Sequence, residues 1–125
     1  MTFRRTYAAF TLGVVLASGA AFAHEPTKGP NGGVQVDAGV YHAELVANGT
    51  PSVTIYLADA EGKAIAAAGF KANAIFVVDG KPQRFTLEPA DGSKLIGTAP
   101  VAVPTGVKGA VQLTAPDGKT GQAKF

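Results

Sequence analysis

The stretch Ser52-Val53-Thr54-Ile55-Tyr56-Leu57 decides the fold. Its apolar side chains fall on every second position, the period of a strand that turns one face to a core and the other to water. Working outward, the same period recurs. Tyr41, Ala43 and Leu45 alternate with His42 and Glu44, Phe85 and Leu87 with Arg84, Thr86 and Glu88, and Val111 and Leu113 with Gln112 and Thr114. Ala74-Ile75-Phe76-Val77-Val78 is apolar at every position and predicts a central strand covered on both sides.

The punctuation between these runs agrees. Val78-Asp79-Gly80-Lys81 is a two-residue hairpin signal, because Asp and Gly accept the positive φ that a type I′ turn needs. Pro116-Asp117-Gly118, Glu61-Gly62 and Asp91-Gly92 mark further turns. Between Asp59 and Gly69 the alanines allow a helical turn or a short strand. Pro82, Pro100 and Pro104 belong at edges or strand ends, since proline has no amide proton for a central ladder. Roughly seven or eight short strands without a long helix predict an all-β protein, an antiparallel two-sheet sandwich of immunoglobulin-like size, with a small β-barrel as the alternative.

The front of the chain reads as an export signal. Arg4 and Arg5 precede an apolar run from Ala8 to Leu16, and Ala21-Phe22-Ala23 supplies the small residues of a cleavage site. Cleavage there leaves His24 at a free amino terminus, a strap from 24 to 33 with nothing to bury, and one domain over 34–125. The residues after Arg4-Arg5 match a twin-arginine signal poorly, so ordinary unfolded export to the periplasm is expected. Without the signal, eight Lys and one Arg balance nine Asp and Glu. A basic stripe for nucleic acid or anionic lipid is therefore not expected, nor is membrane association after signal removal.

The chain has no cysteine, and its single methionine is Met1. Disulfides, thiolate chemistry and a thioether copper site are excluded from the processed chain, so a metal would need nitrogen and oxygen donors. An amino-terminal histidine chelates through its α-amine and Nδ1, and a second imidazole completes a set that suits copper(II). His42 is the other histidine of the processed chain. Glu44 shares its strand face about 7 Å further on. The expected metal ligands are thus His24, His42 and Glu44.

Catalytic patterns are sparse. Gly29-Pro30-Asn31-Gly32-Gly33 lacks the helix and the Lys-Ser/Thr of a phosphate loop. A hydrolytic triad would need His42 with Asp37 or Asp59 and either Ser52 or Ser93, and neither serine sits in a nucleophile elbow. The expectation is a protein that is not an enzyme.

The segments Gly29-Pro30-Asn31-Gly32-Gly33-Val34, Tyr41-His42-Ala43-Glu44-Leu45-Val46 and Val53-Thr54-Ile55-Tyr56-Leu57 carry a resemblance. The chain resembles small exported bacterial β-proteins and the amino-terminal β-domain of some periplasmic adaptor subunits of heavy-metal efflux systems. Such proteins often have histidine where this chain has Asn31, so metal binding does not carry over to that loop. The chain shows no helical hairpin or lipoyl-like segment of an adaptor, so a free-standing domain is expected, and the resemblance implies an efflux component as its periplasmic partner. Two functions are expected in parallel: an exported protein binding a transition metal, copper first, or a metal-free accessory module that binds a protein partner through a sheet edge.

Overall fold

Hairpins build this structure, a computed structural model that describes residues 25–125. Residues 1–24, which include the expected export signal and His24, lie outside the described residues. Nine strands follow in order: β1 (Thr27–Lys28), β2 (Val34–Ala38), β3 (Tyr41–Val46), β4 (Thr50–Ala58), β5 (Lys71–Val78), β6 (Lys81–Pro89), β7 (Lys94–Val103), β8 (Lys108–Thr114) and β9 (Thr120–Lys124). Every pairing is antiparallel. The Asp79-Gly80 turn is as its sequence predicts, with φ of 51° and 74°, and it joins β5 to β6 in register from Val78↔Lys81 onward.

The all-β, antiparallel expectation holds, and the strands run as one sheet in the order β1-β2-β3-β4-β7-β6-β5-β8-β9. Strand β6 links the two halves. Its length pairs with β5, while only Glu88 and Pro89 pair with β7. The sheet curls until its two ends approach: a Cβ added at Gly121 of β9 would stand 2.6 Å from the Ala38 carbonyl carbon of β2. The arrangement is thus closer to the barrel alternative than to two separately bonded sheets.

The core lies inside the curl. Val53, Ile55 and Leu57 of β4 are fully covered, as are Leu87, Val111 and Leu113. Phe76 has no exposed surface and meets Phe85 and Phe125 with ring centroids 5.7 and 6.4 Å apart. Strand β5 is central, as expected, but it is covered on one side only. Its pattern alternates strictly, and Ile75 and Val77 are 39% and 50% exposed. The alanine-rich connection forms neither a helix nor a strand. It is a turn at Asp59–Gly62 followed by a single bridge between Ala58 and Ala64.

Proline placement follows from its missing donor. Pro82 is the second residue of β6 and Pro104 follows β7. Pro100 lies in β7 beyond its last pair with β6, across from the irregular register between Thr50 and Ser52 of β4.

Candidate functional site

Strands β2 and β3 carry the chemistry on their outer face. Their register sets Asp37 opposite His42 and Gln35 opposite Glu44. The two expected ligands of β3 therefore do share a face, yet their surroundings differ completely.

Glu44 is 2% exposed. Residues 27–33, read from sequence as a strap with nothing to bury, form β1 and a turn that folds over it. The Asn31 backbone amide donates to Oε2 at 2.9 Å, the Gly33 amide donates to Oε2 at 2.8 Å, and the Asn31 side-chain amide donates to Oε1 at 2.8 Å. The turn is closed by the Gly29 amide donating to the Gly33 carbonyl at 2.9 Å. Only glycine fits at 29, because a Cβ there would overlap the Glu44 side chain. Such a carboxylate is a structural clasp: its oxygens are engaged by N–H donors, as a buried charged group requires.

His42 is held between two oxygens. Its Nδ1 is 3.0 Å from Oδ1 of Asp37, and its Nε2 is 3.2 Å from the Ala60 carbonyl. The side chains of His42 and Asp37 are 21% and 36% exposed. The Ala60 carbonyl is fixed in place by Asp59, whose Oδ1 accepts from the amides of Glu61 and Lys63, each at 2.9 Å. A neutral imidazole donates from one nitrogen only. Which of the two nitrogens donates depends on the tautomer.

His42 and Asp37 line a cavity of about 210 Å³ together with Glu25, Thr27, Gln35 and Val36. Among the described residues, no three His, Asp or Glu side chains are close enough together to hold a metal ion. Of the expected ligands, His42 is at this cavity, Glu44 is held under the turn, and His24 lies outside the described residues.

Sequence reading weighed Asp37 only as a triad member and missed it as the cross-strand partner of His42. The signal that could have found it is hairpin register, since Val34–Ala38 and Tyr41–Val46 flank a two-residue turn. The other triad requirement is not met at His42, because Nε2 faces a carbonyl and not a hydroxyl.

Comparison with known proteins finds no matching family model, no matching curated protein and no matching solved structure.

Proposed function

We propose that this is an exported, periplasmic, non-enzymatic protein that binds a transition metal ion, copper(II) first, at the mouth of the His42–Asp37 cavity. The ligands are His42 Nδ1, the Asp37 carboxylate, and the α-amine and imidazole of His24, freed by cleavage after Ala23. Glu44 is not in this set, because its carboxylate is engaged by Asn31 and Gly33.

The observation that supports the reading is the His42–Asp37 pair, 3.0 Å apart, at a cavity that Glu25 also lines. Glu25 is the residue next to His24 in the chain, and neighbouring Cα atoms are about 3.8 Å apart, which supports His24 as a further ligand. The geometry is favourable as well. Two donors bound to one ion at about 2.0–2.1 Å and at right angles stand about 2.9 Å apart, and Nδ1 and Oδ1 are separated by 3.0 Å. With Nδ1 on the metal, Nε2 would carry the proton and donate to the Ala60 carbonyl 3.2 Å away, the outer hydrogen bond that orients a metal-bound imidazole. The likeness to efflux-adaptor β-domains makes a periplasmic efflux component the proposed partner.

The test is copper titration of the protein beginning at His24, beside His24→Ala, His42→Ala and Asp37→Asn and a form with one extra residue ahead of His24. Each change is expected to weaken binding at least about tenfold, consistent with loss of a ligand or of its orientation. Equal affinity across the series would overturn the reading and leave His42–Asp37 as a structural tie.

A further inference from the structure

The molecule is electrically divided. The strands β5, β6, β8 and β9 with their turns, residues 71–89 and 108–124, carry Lys71, Lys81, Arg84, Lys108, Lys119 and Lys124 against Asp79, Glu88 and Asp117. The remaining described residues show the reverse, with Lys28, Lys63 and Lys94 against Glu25, Asp37, Glu44, Asp59, Glu61 and Asp91. A chain with no net charge after signal removal thus has a basic half and an acidic half.

Register places the side chains of the basic half in rows across its outer face. Thr86, Asn73, Gln112 and Gln122 stand side by side on β6, β5, β8 and β9. The next row is Arg84, Ile75, Ala110 and Lys124, and on the other side Lys71, Thr114 and Thr120 align, with Glu88 of β6 beside Lys71. Three steps of about 4.8 Å make the row from Thr86 to Gln122 roughly 14 Å long, its three amides spanning about 10 Å. Asn73, Gln112 and Gln122 are exposed, and among the described residues their side chains make no hydrogen bond to the protein. A shallow hollow of about 550 Å³ lies along the row, lined by these three amides with Thr120 and Gly121, and with Ile75 and Ala110 as its apolar part.

We propose that this face binds an acidic oligosaccharide of the polyuronate kind, its hydroxyls on the Asn73-Gln112-Gln122 row and its carboxylates on Arg84 and Lys124, at the end of the face away from Glu88. Side-chain amides both donate and accept, which matches a ligand carrying many hydroxyl groups. The small apolar part accepts the C–H face of a sugar ring. The flanking cations match its charge, while the acidic half of the protein faces elsewhere. An extended peptide gains little here, since the backbones of β5 and β8 are already paired on both sides. Nucleic acid lacks an exposed aromatic platform on this face. A bilayer leaves the amide row without ordered partners, and Ile75 and Val77 are too short and too partly covered to anchor in it.

The experiment is titration of the isotopically labelled protein with oligogalacturonate, in chelator so that no metal contributes, read by the side-chain amide signals in NMR. Shifts are expected at Asn73, Gln112 and Gln122 and not at Asn31, and they should weaken as salt rises to about 0.5 M. Asn73→Ala with Gln112→Ala should lower affinity roughly tenfold, and Arg84→Gln with Lys124→Gln should do the same while leaving thermal unfolding unchanged. No response to the oligosaccharide overturns the proposal. An equal response to polyglutamate overturns it by showing a general polyanion surface, and binding to anionic phosphatidylglycerol vesicles alone overturns it in favour of a membrane.

Discussion

Asn31 reaches Glu44 twice, through its backbone amide at 2.9 Å and through its side-chain amide at 2.8 Å, across thirteen residues of chain. One residue therefore fastens the turn over β3 and neutralises the cost of burying a carboxylate beneath it.

Glu44→Gln keeps the size but turns an NH₂ group toward N–H donors that need an acceptor. It is expected to lower stability by about 2–3 kcal/mol, and Asn31→Ala by about 1–2 kcal/mol. Urea unfolding of the two variants measures this, and values near zero would show that the clasp contributes nothing. The double variant should cost less than the two singles together, since both remove the same contact.

Gly29→Ala tests the closeness of the turn. The added methyl has no room beside Glu44, so a loss of about 1–3 kcal/mol is expected, as for other overpacked sites. Backbone amide exchange should rise at Asn31 and Gly33 ahead of the rest of the chain.

Neighbouring residues of β5 should respond in opposite ways. Phe76→Ala removes a ring with no exposed surface and is expected to cost about 3–5 kcal/mol. Ile75→Thr changes the solvent face and should stay within about 0.5 kcal/mol. Similar losses at both positions would mean that the outer face of β5 is covered.

His42→Ala separates structure from ligand binding. The His42–Asp37 pair is partly exposed, so its removal should change stability by less than about 1 kcal/mol. Copper affinity of the processed protein should fall far more. A large stability loss with unchanged copper affinity would make the pair a fold determinant alone.

The strands were legible because alternation is local. Val53, Ile55 and Leu57 point inward as their spacing predicts. The same logic failed at Ile75 and Val77, where β-branched side chains suit a strand on either face and their apolar character alone does not show which face is covered. His42 and Glu44 were legible as neighbours on one face. Nothing in the local pattern showed that the 29–33 turn covers one and not the other, because that depends on a contact between β1, its turn and β3. The closure of the sheet was equally out of reach, since it joins β2 to β9 through Ala38 and Gly121, residues far apart in sequence.

The near-contact of Gly121 with Ala38 has a further consequence for how this protein would fail. An open sheet offers a free margin to any passing strand, whereas a curl that brings its first and last long strands together hides both from other molecules. A bulky residue at 121 would pry that seam apart and present two unsatisfied margins at once. The damage would then show as fibre formation on storage at high concentration, well before any fall in melting temperature.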